Sequence, residues 1–323
     1  MFASARDLRV EETPVTTLLV SHPDCAEHDM GEGHPERPER MRAVEGALEA
    51  EAFQMLARDT APRAPSELIC LVHPLEYVQT IERASPKKGR VRLDQDTAMS
   101  PGSFEAALRA AGGAAFAVDE VMGGKTTNAF VATRPPGHHA ELATAMGFCF
   151  FNNAAIAARH AKRAHGAERV AIVDFDVHHG NGTQHIFWAD NSVLYASTHE
   201  MPLYPGTGAR SERGEHNQIV NAPLSAGDGG DIFREAFEAA ILPRVADFAP
   251  DLIIVSAGFD AHYRDPLGNL QLTEADFAWA TRALMKIASK CCGDRMVSLL
   301  EGGYDLQGLA RSTAAHVHAL MGN

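Results

Sequence analysis

The chain has little with which to build a disulfide or knuckle scaffold. Its five cysteines, Cys25, Cys70, Cys149, Cys291 and Cys292, form no C-x-x-C pair and are odd in number, which argues against a disulfide framework and a structural metal knuckle. Long apolar runs are missing too: none reaches the roughly 18 residues of a membrane span. Thr16–Val20 is too short for a signal peptide and carries no basic n-region. Nor is there a dense Lys/Arg run. With 29 Lys+Arg against 42 Asp+Glu the formal charge is −13, which excludes a stable nucleic-acid complex. Internal repeats and low-complexity linkers are absent. These gaps lead to the expectation of a cytoplasmic protein with reduced thiols and no membrane or nucleic-acid partner. The acidic balance suits cationic partners such as Lys-rich protein tails or polyamines.

What is present is enough for a large core: 323 residues, 45% hydrophobic. Residues 1–14 are polar and expected to be loosely held. Thr16–Val20 reads as a strand, followed by a long loop from His22 to Arg37. Helical spacing marks Pro38–Ala52 and Phe104–Val121, the second introduced by a cap region at Ser100–Ser103. Strands and helices then alternate: strand Ala129–Ala132, helix Asn153–His165, strand Val170–Val173, helix Thr183–Trp188 and strand Val193–Ser197. Beyond Ile232–Phe248 come strand Leu252–Ser256, helix Glu274–Ser289, strand Met296–Leu300 and a closing helix. The alternation predicts an α/β protein, with a mostly parallel sheet covered by helices on both faces. Chemistry-bearing residues spread from about 134 to 304, so one domain over 1–323 is expected rather than two.

In such sheets ligands bind beyond the carboxyl ends of the strands, and four polar clusters fall there. Strand 129–132 leads into Arg134-Pro-Pro-Gly-His138-His139. Strand 170–173 leads into Asp174-Phe-Asp176-Val-His178-His179-Gly-Asn181-Gly. Strand 252–256 leads into Ala-Gly-Phe-Asp260, and strand 296–300 into Glu301-Gly-Gly-Tyr304. At two-residue steps on an extended chain, Asp174, Asp176 and His178 would share one face. Asp176, His178 and Asp260 form the best ligand set for a single divalent ion that keeps an open position for water. One of His138 and His139 would take and return a proton, and the Tyr304 hydroxyl would reach an oxyanion opposite the ion. Singly, each cluster reads as well as a solvated strand end, a surface histidine pair or a turn. Their joint placement favours an assembled site. His73, His160, His165, His316 and His318 read as ordinary surface or helix residues, and His22 and His262 fall near the mouth and are assigned no role. Cys149 reads as a small packed residue rather than a redox switch.

Together these motifs resemble the zinc-dependent histone deacetylases and their bacterial relatives, the deacetylase-like amidohydrolases and acetylpolyamine amidohydrolases. The resemblance runs from Gly31-Glu-Gly-His-Pro-Glu-Arg-Pro-Glu-Arg40 to the C-terminal helix. It implies the arginase–deacetylase fold, hydrolysis of N-acetyl amides, and Zn²⁺ on Asp176, His178 and Asp260. His139 would be the general base and then acid, and His138 its electrostatic partner, oriented by Asp174. Tyr304 would polarise the acetyl carbonyl, while Gly147, Phe148 and Tyr204 would wall a narrow channel. Many members have Phe where Tyr204 stands. Potassium would map to Asp174, Asp176, His178, Ser197 and Thr198, and a second potassium to Phe187, Asp190 and Val193. Asn181 stands where class I enzymes have Asp and class II enzymes Asn. A neutral amide there favours His139 as a neutral base. Leu267 stands where class II protein deacetylases show Leu and the polyamine-specific relative shows Glu. This favours N-acetyl-lysine in peptides or proteins over acetylpolyamines or other acetylated amines. Asp96 would hold a substrate backbone amide at the rim, or is a solvated loop acid. A homo-oligomer is possible.

Three rival readings fit less well. A two-manganese ureohydrolase needs extra carboxylates where this chain has Gly180 and Gly258. A non-haem iron oxygenase uses two histidines and one carboxylate, the reverse of the set here. A non-catalytic acetyl-amine binding module predicts loss of Tyr304 or of the histidine pair, and both are present.

Overall fold

The computed structural model describes residues 16–323, and the expectation for 1–14 lies outside them. The elements, in chain order, are β1 (Thr17–Ser21), α1 (Glu39–Leu48), β2 (Ala57–Thr60), α2 (Ser66–Ile69), α3 (Leu75–Ala84), β3 (Val91–Arg92), β4 (Ala98–Met99), α4 (Ser103–Met122) and β5 (Asn128–Ala132). There follow α5 (Asn153–His165), β6 (Val170–Asp174), α6 (Asn181–Ile186), β7 (Val193–Glu200), β8 (Ile219–Leu224), α7 (Gly230–Ala236), α8 (Leu242–Phe248), β9 (Leu252–Ala257), α9 (Glu274–Cys291), β10 (Met296–Leu300) and α10 (Leu306–Leu320). A π turn, Phe237–Ile241, joins α7 to α8.

Eight strands form one sheet in the order β2-β1-β5-β10-β9-β6-β7-β8, parallel at every pairing. The four strands predicted to deliver the polar clusters, β5, β10, β9 and β6, are the adjacent central ones. Successive side chains of a strand face opposite sides. Val170 and Ile172 therefore join a core with α4 and α5. Ala171 and Val173 join the opposite core with α1, α9 and α10. Burial on both faces explains why these strands read as continuous apolar runs.

Caps set the helix limits that the sequence predicts best. Asn152 accepts from the Ala155 N–H at 2.9 Å, and Gly166 ends α5 in the left-handed region. Thr273 and Asp276 form a reciprocal capping box at α9.

The loop from His22 to Arg37 is pinned by buried charge. Arg134, just beyond β5, grips both oxygens of Glu36 and donates to the Cys25 carbonyl at 2.9 Å and the His28 carbonyl at 3.2 Å. Arg40 of α1 pairs with Glu36 at 3.0 Å and donates to the Gly303 carbonyl at 2.6 Å and the Glu301 carbonyl at 2.5 Å. Glu36, Arg40 and Arg134 have no exposure, so the loop is tied to the rim by groups that have left water. Burial alone would raise the Glu36 carboxyl. The charges of Arg134 and His28 outweigh it and hold the group well below the usual carboxylate range.

Glu36→Gln leaves Arg134 without its counter-charge and is expected to cost about 3–5 kcal/mol in urea unfolding at neutral pH. Because the folded pKa is depressed, this contribution is complete above the unfolded value of about 4.3 and fades as pH falls below it. The gap between wild type and variant should narrow in acid. An unchanged unfolding midpoint at neutral pH would contradict this role.

Candidate metal and catalytic site

β6 ends at Asp174, and the chain then bends through residues 176–178 rather than staying extended, so the predicted two-residue stepping is corrected. All three side chains still reach the rim, because side chains fold the turn back on itself. Asp174 Oδ1 accepts from the Asp176 N–H at 3.1 Å, and Asp176 Oδ1 accepts from the His178 N–H at 2.9 Å. Asp174 Oδ2 accepts from the Tyr195 hydroxyl and pairs with His138 Nδ1, both at 3.0 Å.

Asp176, His178 and Asp260 are buried and offer ligand atoms that lie within 4.8 Å of one another. His178 Nδ1 is 3.1 Å from both Asp176 Oδ1 and Asp260 Oδ2. The remaining carboxylate oxygens are committed: Asp176 Oδ2 accepts from the Gly302 N–H and Asp260 Oδ1 from the Val177 N–H, each at 2.8 Å. One oxygen of each acid and one imidazole nitrogen therefore face a common point, as a three-ligand divalent site requires. Two glycines make room for this. A Cβ at Gly258 would come within 2.0 Å of Asp176 Oδ2, and one at Gly302 within 2.1 Å of Asp260 Oδ2. A Cβ at Gly180 would meet Asp174 Oδ2 at 2.4 Å, so neither Gly180 nor Gly258 leaves space for the second-metal carboxylate of a ureohydrolase.

His138 and His139 lie with ring centroids 4.0 Å apart. Burial alone would lower the His138 ring, but Asp176 and Asp174 outweigh it and raise it well above the ordinary value. His139 goes the other way, lowered well below that value by burial and then by the His138 and His178 charges. Its Nδ1 is 2.8 Å from Asn181 Oδ1, and Asn181 Nδ2 donates to Glu141 Oε1 at 3.0 Å. That donation fixes the amide's orientation, so His139 carries its proton on Nδ1 and keeps a lone pair on Nε2. Tyr304 packs edge-on against Phe148 at 5.8 Å, with the Arg40 guanidinium 4.9 Å from its ring. Burial keeps its hydroxyl protonated, with a pKa well above the ordinary value.

A cavity of about 240 Å³ opens over these groups, lined by Asp96, His139, Gly147, Phe148, His178, Leu203, Tyr204, Leu267 and Tyr304. Every residue predicted for the channel and rim is in that lining. Tyr204 sets its ring edge-on to His139 at 5.1 Å, and Asp96 accepts from the Thr97 hydroxyl at 2.9 Å. Ser197 and Thr198 lie on β7, with Ser197 beside Asp174 in the ladder, and the buried Thr198 hydroxyl has no hydrogen-bond partner among the described residues. Phe187, Asp190 and Val193 form a separate turn between α6 and β7, outside the cavity. There the Phe187 carbonyl accepts from Gln218 Nε2 at 2.8 Å and from the Asp190 N–H at 3.1 Å.

Two contributors had no role assigned from sequence. Glu301 Oε2 accepts from the Gly137 N–H at 2.7 Å and the His138 N–H at 3.2 Å, holding the turn that aims both histidines. Asp265 Oδ2 accepts from the Tyr304 N–H at 2.6 Å, and its Oδ1 from the Leu267 N–H at 3.0 Å. Glu301 was visible inside the Glu-Gly-Gly-Tyr motif, whereas Asp265 carried no local signal. Elsewhere the expectation of ordinary surface or helix histidines is corrected at His73 and holds only in part at His316, which lies on α10. His316 is buried between the Thr281 and Ser298 hydroxyls at 2.6 and 2.8 Å, and burial lowers it to about 3. His73 is buried between the Leu142 carbonyl and the Asn152 N–H. His262 is buried outside the cavity lining. Cys149 is packed, as expected, and burial pushes its thiol up.

With the geometry in place, comparison with known proteins identifies the lineage. Residues 34–320 match the model of the histone deacetylase domain. The chain is 40% identical over 316 residues to a probable deacetylase of Archaeoglobus fulgidus, covering 95% of this chain and 86% of that protein. It is 40% identical over 277 residues to a histone deacetylase-like amidohydrolase of Pseudomonas aeruginosa, covering 84% and 73%. Histone deacetylase 14, chloroplastic, of Arabidopsis thaliana is also 40% identical, over 90% of this chain and 74% of its own length. Among solved structures, the crystal structure of the HDA15 HD domain superposes with a TM-score of 0.91 at 38% identity, over 96% of this chain and 89% of that one. An eight-stranded parallel sheet flanked by helices, the assembled rim motifs and these similarities agree: the chain belongs to the histone deacetylase family.

Proposed function

We propose that this chain is a zinc-dependent deacetylase, a single cytoplasmic catalytic domain that removes the acetyl group from N-acetyl-lysine side chains in peptides or proteins. The observation that carries this reading is the buried three-donor cluster at the foot of an apolar cavity, facing both the His139 ring and Tyr304. Two carboxylates and one imidazole suit Zn²⁺ and leave a coordination position open. When bound, the ion supplies a Lewis acid that polarises the amide carbonyl and acidifies water.

The chain's own groups then divide the work. His139 Nε2 takes a proton from water as the water oxygen bonds to the acyl carbon. As the C–N bond breaks, the same nitrogen returns that proton to the departing amine, leaving a free amine and acetic acid, which gives its remaining proton to the amine or to solvent as it becomes acetate. His138, paired with Asp174, holds positive charge beside the reacting centre. The Tyr304 hydroxyl donates to the carbonyl oxygen as negative charge gathers there. Asn181 keeps His139 in the tautomer this requires. Gly147, Phe148, Leu203 and Tyr204 enclose the methylene stem and exclude water, while Asp96 accepts from a substrate backbone amide at the mouth. Potassium is assigned to Asp174, Asp176, His178, Ser197 and Thr198, supported by the unpartnered Thr198 hydroxyl, and a second potassium to Phe187, Asp190 and Val193.

Leu267 supports the peptide substrate. An apolar side chain at position 267 gives a distal ammonium no partner of its own, and Asp96, the acid in the same lining, is assigned to the peptide backbone amide.

Two outcomes follow. Tyr304→Phe should lower kcat by about 10²–10³-fold with zinc content unchanged; full turnover would remove Tyr304 from the chemistry. In acetate-release assays the wild type should favour an acetyl-lysine peptide over acetylspermidine. Leu267→Glu should move the ratio of kcat/KM towards acetylspermidine by about tenfold, the equivalent of one modest ion pair. A wild-type preference for acetylspermidine would keep the mechanism and overturn the substrate.

A further inference from the structure

Away from the catalytic rim, α4 and α5 bring together a second group of metal-ligand type. Asp119, in the last turn of α4, faces His160 and His165 of α5, and the three ligand atoms lie within 4.8 Å of one another. Both Nε2 atoms are 2.7 Å from the same oxygen, Asp119 Oδ1. The two rings are edge-to-face with centroids 6.0 Å apart. One carboxylate oxygen thus serves both rings.

We propose that Asp119, His160 and His165 form a second metal site, for a divalent transition ion of the zinc type. Two imidazoles and a carboxylate are a donor set such ions favour over Mg²⁺ or Ca²⁺. The side chains are about one-fifth exposed for each histidine and nearly half for Asp119, so water can complete the coordination. Ligand atoms around a tetrahedral zinc stand ~3.3 Å apart, given bonds of about 2.0–2.1 Å. Asp119 Oδ1, at 2.7 Å from both nitrogens, needs to retreat by only about half an ångström to reach that spacing. On binding, each ring moves its proton to Nδ1 and offers the Nε2 lone pair.

The setting favours a cation. Asp119 lies three residues before the end of α4 and His165 is the last residue of α5, so both helices present the negative ends of their dipoles. The neighbouring Lys162 ammonium is directed away, to the Ala167 and Glu168 carbonyls. The position also separates this site from catalysis. Asn152, the N-cap of α5, lies beside the catalytic turn, donating to the Ala140 carbonyl at 3.2 Å. His165 closes the other end of the 13-residue helix, roughly 20 Å away at 1.5 Å per residue. An ion here clips α4 to α5 and touches no substrate.

The test is zinc bound per chain by equilibrium dialysis, using tag-free full-length protein at micromolar free zinc. The His160→Ala/His165→Ala double variant should bind one equivalent fewer than wild type. That difference is independent of whether the catalytic ligands are filled. Asp119→Asn keeps a hydrogen-bond acceptor for both rings and should weaken the same equivalent by about tenfold or more. Deacetylase turnover should be unchanged in both variants. Equal zinc content in wild type and double variant would overturn the site, as would undiminished affinity in Asp119→Asn.

Discussion

Asp174, Asp176, Asp260 and Glu301 are buried together at the carboxyl ends of three adjacent strands, β6, β9 and β10. Carboxylates that leave water must find counter-charge or hydrogen bonds, and most of the rim is arranged to provide them. Backbone N–H groups of Asp176, Val177, Gly137 and Gly302 point at carboxylate oxygens. The His138 ring answers Asp174, and the Ser256 hydroxyl answers Glu301. One oxygen each of Asp176 and Asp260 turns to a single nitrogen of His178, the Asp176 oxygen also accepting from the His178 N–H. Those two oxygens and that nitrogen mark the candidate cation position, while every other oxygen of the four acids is held by a donor.

The same constraint explains features that otherwise look unrelated. Gly258 and Gly302 are required because the acids occupy the volume any side chain would take. A parallel sheet covered on both faces supplies the dry environment in which such a cluster acts strongly on an ion or a substrate dipole. Buried cations extend the scheme outward. Arg40 lies over the Tyr304 ring and holds the Glu301 and Gly303 carbonyls, while Arg134 holds the loop containing His28 and Glu36. The Tyr304 turn and the first loop are consequently one electrostatic unit with the candidate metal ligands.

Much of this was legible before any coordinates, and the limits have physical causes. The central strands announced themselves because burial on both faces demands unbroken apolar runs, and α5 because Asn152 and Gly166 bound it. The sheet edges did not. β2 is the polar segment Ala-Arg-Asp-Thr, largely exposed, and β8 carries Asn221 and Pro223, an interruption that an edge strand tolerates. The residues of the candidate metal cluster stood out because chemistry restricts ligands to few residue types at strand ends. Asp265 and Arg40 were not, since their partners lie far along the chain or are backbone atoms with no residue identity. His160 and His165 were passed over for a similar reason: at i and i+5 they share no helical face until Asp119 from another helix draws them together.

The most direct test of the central claim is anomalous diffraction at the zinc edge from crystals of the zinc-loaded protein. The account predicts a peak among Asp176, His178 and Asp260, with protein–metal distances of about 2.0–2.2 Å and with Asp176 Oδ1, Asp260 Oδ2 and His178 Nδ1 as the ligand atoms. Zinc-loaded crystals with no peak among these three residues, whatever is bound elsewhere, would contradict it.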